Sequence, residues 1–167
     1  MITARTELRL LSLEDFDEYH RLSADPEVMR YIAPVYTHEE SDKKLGELIE
    51  WQEEHPGMGY WTVRSREDGR FVGIFCLRYL GTTEEIEIGY RLAREFWGKG
   101  LASEVAAYLI DYARKTLNAT RLVAVTDPEN LASQRVLIKA GFQYLEDRFH
   151  YGANLNYFFL DFTTPPS

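Results

Sequence analysis

A single cysteine among 167 residues, Cys76 inside the apolar run FVGIFCLRYL, excludes an internal disulfide and fits a reducing compartment. No histidine lies near it in sequence, so it reads as a buried inert thiol and not as a nucleophile. The four histidines, His20, His38, His55 and His150, are scattered without ligand spacing, and no metal is expected. Basic residues are also scarce: 19 Lys and Arg face 27 Asp and Glu, a net charge of −8. Binding a phosphate backbone calls for basic patches, so nucleic acid is a poor partner, whereas a cationic amine would be attracted. Long hydrophobic runs are missing. The opening MITARTELRL is charged where a signal peptide needs an apolar stretch, and no later segment has bilayer-spanning length, so neither export nor a membrane partner is expected and the cytoplasm is the expected location. Repeats, low-complexity tracts and linkers are absent, which predicts one domain over residues 1–167 with a loose tail at 162–167.

What is present is an ordinary globular mixture, 45% hydrophobic and 28% charged. TELRLLSL alternates like a half-buried strand, and a helix with Phe16, Tyr19 and Leu22 on one face follows it, as far as the Asp25-Pro26 turn. EVMRYI is a short helical piece. Thr37 caps a longer helix, whose stripe is Leu45, Leu48, Ile49 and Gln52. GYWTVRSR, FVGIFCLRYL and EIEIGYRL, joined by the short turns EDGR and GTTE, read as antiparallel neighbours. A helix with Leu101, Val105, Tyr108, Leu109 and Tyr112 in register leads to RLVAVTD, a strand reached through a helix and so expected parallel to EIEIGYRL. Asn130 opens a last helix that Gly141 closes, with Phe142 as the hydrophobic partner of the cap. Two final strands, FQYLEDRFHY and NLNYFFLDF, are joined by a turn placed at GAN.

In EIEIGYRLAREFWGKGLASEVAAYLIDYA a strand passes through Gly98 and Gly100 into a helix. Glycine permits close approach and unusual dihedrals, and the free N–H groups of a helix start attract an anion such as a pyrophosphate. A plain loop with an N-cap is the alternative. A P-loop is excluded because Lys99 is followed by Gly100 and not by Ser or Thr. Gly98 to Ser103 nearly reads GxGxxG, and Asp127 ends the following strand, so a dinucleotide-binding oxidoreductase is a rival reading. Against it, the preceding strand ends near Leu92, several residues early, and the three strands before the loop are hairpin-linked.

The run IGYRLAREFWGKGLASE, followed by NLASQRVLIKAGF, resembles the GNAT superfamily of acyl-CoA-dependent N-acetyltransferases, in particular the branch that acetylates ribosomal-protein N-termini. TELRLLSLEDFDEYHRLSADPEVMRYI resembles the opening of that branch, so the resemblance covers nearly the whole chain. It implies an α/β (α+β) fold: a mixed, mostly antiparallel sheet of about seven strands with four helices, whose central parallel pair is splayed for CoA. It also implies acetyl-CoA as cosubstrate and a primary amine as acceptor. The family's Q/R-x-x-G-x-G/A motif matches at Gly98 and Gly100 but has Glu95 at its first position. By resemblance Trp97, Gly98, Lys99, Gly100, Leu101, Ala102 and Ser103 would cradle the pyrophosphate, and the main chain of Tyr90, Arg91 and Leu92 would pair with the pantetheine arm. Gly89 within the strand reads as a bulge, a close approach or a packing position. Asn130 and Ser133 match the branch's N-x-x-S pattern, which implies cofactor contacts for Asn130 and a hydrogen bond to the CoA sulfur for Ser133. An N-cap asparagine and a first-turn serine would also suit any helix. Arg135 and Lys99 could attract CoA phosphates. Many relatives carry a tyrosine acid where this chain has Leu137, which shifts the proton-donor role toward Ser133.

An alkylamine of pKa about 10 must lose a proton before it can attack a thioester. Strand alternation groups Glu85, Glu87, Gly89 and Arg91 on one face, and Glu87 is the expected base; a polar face meeting solvent is the structural alternative. A backbone N–H of residues 90–92 would serve the oxyanion. Two other function classes stay open, an idle acyl-CoA sensor and the dinucleotide enzyme. The edge formed by the final strands offers a surface for a homodimer.

Overall fold

The computed structural model describes residues 1–162; of the tail expected at 162–167, all but Phe162 lies outside them, and the Phe162 N–H bonds to Thr120 O at 2.9 Å. Seven strands form one sheet in the order β1-β2-β3-β4-β5-β7-β6: β1 Thr6–Leu10, β2 Gly59–Ser65, β3 Phe71–Tyr79, β4 Ile86–Leu92, β5 Arg121–Thr126, β6 Gln143–His150 and β7 Ala153–Asp161. The sheet is mostly antiparallel, and β4 and β5 are its parallel pair, with Glu87 opposite Val123, as the intervening helix predicts. This arrangement removes the dinucleotide reading, which requires strands that alternate with helices.

Among the described residues five α-helices accompany the sheet: α1 Phe16–Ser23, α2 Pro26–Met29, α3 His38–Glu54, α4 Leu101–Lys115 and α5 Leu131–Lys139. The sequence reading counts four because it takes the one-turn α2 as a helical fragment. Pro26 opens α2 with its φ preset, and Asp25 Oδ1 accepts the Glu27 N–H at 3.0 Å. The first strand is shorter than the alternation suggests: it stops at Leu10, and the Ser12 N–H bonds to Asp15 Oδ2 at 2.9 Å, which starts a 3-10 turn before α1. Thr37 caps α3 as expected, and Glu40 completes a capping box with it.

The chain divides into two compact units. One is Met1–Cys76 with Tyr90–Leu101, where Leu11, Tyr19, Leu22, Leu45, Leu48, Tyr60, Phe71, Ile74 and Cys76 pack into one cluster. Each large apolar side chain fully buried there stabilises the fold by roughly 1.5–3 kcal/mol. Gln52, on the stripe of α3, is bonded rather than merely packed: its Nε2 donates to the Leu11 carbonyl at 2.7 Å and its Oε1 accepts from the Tyr60 N–H at 3.3 Å. A close backbone approach falls at Gly73: a Cβ there would stand 2.3 Å from the carbonyl oxygen of Arg91.

The other unit is Leu77–Gly89 with the residues from Ala102 onward, and its core includes Leu80, Val123 and Tyr157. Gly141 ends α5 as predicted. Its φ is +100°, its N–H bonds to Ile138 O, and the Phe142 N–H bonds to Leu137 O, with Leu137 and Phe142 both buried. The β6–β7 turn corrects the expectation: it is Tyr151-Gly152, with φ of +53° and +77°, and His150 pairs with Ala153. Two consecutive positive φ values make a two-residue hairpin whose twist matches the strands, so Ala153 and Asn154 already belong to β7.

Candidate active site

Strand β4 carries the expected base Glu87, and its first half lies in the second unit. Leu80 N–H bonds to Glu85 O, which sets the β3–β4 hairpin register and brings Arg78 opposite Glu87. Glu87 is 4% exposed. Arg78 Nε bonds to its Oε2 at 3.2 Å, and the Tyr151 hydroxyl donates to the same oxygen at 2.5 Å. The Arg78 guanidinium also lies 5.0 Å from the centroid of the Tyr151 ring. Buried carboxylates need such partners. Oε1 takes part in neither bond. Tyr151 is 53% exposed, yet its hydroxyl end is withdrawn beside Glu87. Loss of solvation there, then the negative charge of Glu87, raise its pKa well above the ordinary phenol value.

The sequence singled out Glu87 but neither of its partners. The opposite charges of Arg78 and Glu87, equally spaced about the GTTE turn, were the available signal. The tie of Tyr151 to Glu87 had none, because the two are 64 positions apart.

In the same unit Asn130 caps α5, its Oδ1 accepting the Ser133 N–H at 3.2 Å. Both side chains are half-buried, while Arg135 is exposed on the same helix. Ala102 and Ser103 stand half-buried in the first turn of α4. Thr126, at the end of β5, is 6% exposed and its Oγ1 has no hydrogen-bond partner among the described residues.

The remaining expected residues belong to the first unit. Gly98 and Gly100 adopt φ of +70° and +76°, the left-handed region that favours glycine, immediately before Leu101 opens α4. A Cβ at Gly98 would meet open space. Lys99 between them presents its carbonyl to Arg5 Nη1 at 2.8 Å, a tie that sequence reasoning missed because Arg5 is 94 positions away. The half-exposed Trp97 donates from Nε1 to the Leu92 carbonyl at 2.9 Å. Tyr90 stacks on Phe75 with ring centroids 5.2 Å apart. The Arg91 side chain is held by Ser23 Oγ at 3.1 Å and Met29 Sδ at 2.8 Å, and it lies over the Tyr19 ring.

Known proteins share this architecture. Residues 5–143 match the family profile described as "Acetyltransferase (GNAT) domain". FsC-acetyl coenzyme A-N(2)-transacetylase of Aspergillus fumigatus is 31% identical over 174 residues, covering 98% of this chain and 69% of its own. Among solved structures, a GNAT-family acetyltransferase from Bacillus anthracis superimposes with a TM-score of 0.82 at 23% identity, covering 96% of this chain and 97% of the other. RimL, a ribosomal alpha-N-protein acetyltransferase in complex with coenzyme A, gives 0.81 at 17% identity over 96% of each chain. No helix among the described residues is long and apolar enough to cross a membrane. The matched profile and the close relative together place this chain in the GNAT acetyltransferase family, as an acyltransferase that uses acetyl-CoA as cosubstrate and acetylates an amine.

Proposed function

We propose that the chain moves an acetyl group from acetyl-CoA to a primary amine, on a small molecule or a protein N-terminus, by direct attack of the amine on the thioester. The observation that carries this reading is Glu87, a buried carboxylate with Oε2 committed to Arg78 and Tyr151 and Oε1 left to take a proton. A net charge of −8 supports a cationic acceptor. The name of the Aspergillus relative, an acetyl coenzyme A-N(2)-transacetylase, supports a nitrogen as the acceptor atom.

In this mechanism the ammonium form of the acceptor gives its proton to Glu87, directly or through one water. The freed lone pair attacks the thioester carbon, the carbonyl π electrons move to oxygen, and a backbone N–H of residues 90–92 stabilises that oxyanion. On collapse the carbonyl re-forms and the C–S bond breaks. CoA leaves as a thiolate that accepts a hydrogen bond from the Ser133 hydroxyl, and the new amide nitrogen gives its second proton to that thiolate, directly or through water, so that CoA is released as the free thiol. Trp97 to Ser103 hold the pyrophosphate through their amides, the two left-handed glycines keeping side chains out of its way. Asn130 and Arg135 assist, and the main chain of Tyr90, Arg91 and Leu92 aligns the pantetheine arm. Holding amine and thioester together supplies much of the acceleration.

Two further features belong to this reading. The lone buried thiol of Cys76 fits the cytoplasm. The edge strand β6, with Tyr144, Leu145 and Phe149 exposed, fits a homodimer. The test is release of free CoA from acetyl-CoA across a panel of amines and N-terminal peptides. Turnover with at least one acceptor is expected, and none with any of them would overturn the reading.

A further inference from the structure

The tip of the β6–β7 hairpin is built from an unfavourable residue. Tyr151 has φ of +53° and Gly152 +77°, a two-residue turn that ordinarily takes Asn-Gly or Gly-Gly because a Cβ is strained in the left-handed region. A bulky aromatic there is an outlier, and such outliers persist where the surroundings fix them and concentrate at functional sites. Three contacts fix this one. The hydroxyl donates to Glu87 Oε2 at 2.5 Å, accepts from the Gly81 N–H at 3.3 Å, and the ring covers the Arg78 guanidinium. Arg78 in turn bonds to Glu87 Oε2 at 3.2 Å. The hairpin tip, the β3–β4 turn and the base are thus tied through one phenol, and both restraints on the carboxylate fall on the same oxygen.

We propose that Tyr151 is a positioning residue for acetyl transfer: the strained hairpin tip places its phenol so that it and Arg78 lock Glu87 Oε2 and fix the direction in which Oε1 meets the incoming amine. The proposal rests on Glu87 being the base. Tyr151 does not exchange a proton with the substrate; it narrows the orientations open to the group that does. A base free to rotate about its terminal torsion spends less time in reach of the ammonium proton, so loss of the phenol lowers kcat and leaves the binding of both substrates alone.

The experiment compares Tyr151→Phe, Tyr151→Asn and Glu87→Gln in the full chain, with acetyl-CoA and an acceptor that the wild type turns over. Tyr151→Phe should lower kcat by roughly tenfold, the size of one charge-assisted hydrogen bond, with KM for acetyl-CoA and amine unchanged. Tyr151→Asn removes the phenol but gives the turn its preferred residue, so kcat should fall by a similar factor while Tm stays level or rises. A structural role alone would make activity and Tm fall together. If Glu87→Gln is crippled and both Tyr151 variants keep wild-type kcat, the positioning role is refuted and the base reading survives. If Glu87→Gln keeps full kcat, the base reading fails and takes this proposal with it.

Discussion

The hydroxyl of Tyr157, on β7, donates to Oε1 of Glu85 at 2.5 Å, and the Arg148 guanidinium lies 3.8 Å from the centroid of the same ring. Tyr157 is fully buried. Burial, then the hydrogen bond to Glu85, push its phenol up to about 12 from an ordinary value of 10. A phenol that holds its proton more tightly in the fold than in the unfolded chain stabilises the fold only while protonated. Its contribution is complete below pH 10 and is lost as the pH climbs from 10 to about 12. Tm should therefore decline through that window, and Tyr157→Phe should decline less steeply. An equal slope in the two proteins would contradict this account of the pair.

Gly73 has no room for a side chain. A Cβ there would stand 2.3 Å from Arg91 O and 2.9 Å from Leu92 Cα, backbone atoms that cannot swing aside. Gly73→Ala should destabilise the protein by about 1–3 kcal/mol, the usual cost of overpacking, read as a lower urea midpoint at unchanged m-value. An unshifted midpoint would contradict the close approach.

Removing the proton acceptor should affect the chemical step alone. Glu87→Gln is expected to cut kcat by about 10²–10⁴-fold, the range spanned by general-base removal, while acetyl-CoA binds as before. An unchanged kcat would take the base role away from Glu87.

Asn130 separates a helix cap from a ligand contact. Asn130→Ser preserves an N-cap oxygen and should leave Tm nearly unchanged, whereas Asn130→Ala should cost about 1 kcal/mol. If Asn130 also contacts the cosubstrate, both variants bind acetyl-CoA more weakly, as calorimetry would measure. Full affinity in the serine variant would reduce Asn130 to a cap.

Much of this arrangement was legible in the chain because its signals are local. Thr37 and Asn130 mark helix starts that the backbone obeys. Gly141 with Phe142 marks a stop, and Gly98 and Gly100 foretold a left-handed entrance to α4. The misplaced hairpin tip has a physical reason. Gly-Ala-Asn has the composition of a turn, whereas tyrosine is a poor choice for positive φ, and only the distant contact with Glu87 accounts for it. Likewise nothing near Gly73 announced that the Arg91 backbone closes in on it, because that need is set across the sheet. Arg5 meeting Lys99 is tertiary in the same sense: nothing near either residue announces the other.

The central claim is that left-handed glycines at the entrance to α4 hold the diphosphate of acetyl-CoA, and titration calorimetry of acetyl-CoA into the wild type and into a Gly98→Ala, Gly100→Ala double variant tests it most directly. The added methyl groups meet no backbone, so the variant should stay folded while the loop loses its shape. We predict saturable binding to the wild type and affinity lower by about tenfold or more in the variant, equivalent to about 1.4 kcal/mol or more. No heat of binding to the folded wild type, or equal affinity in the two proteins, would contradict the claim.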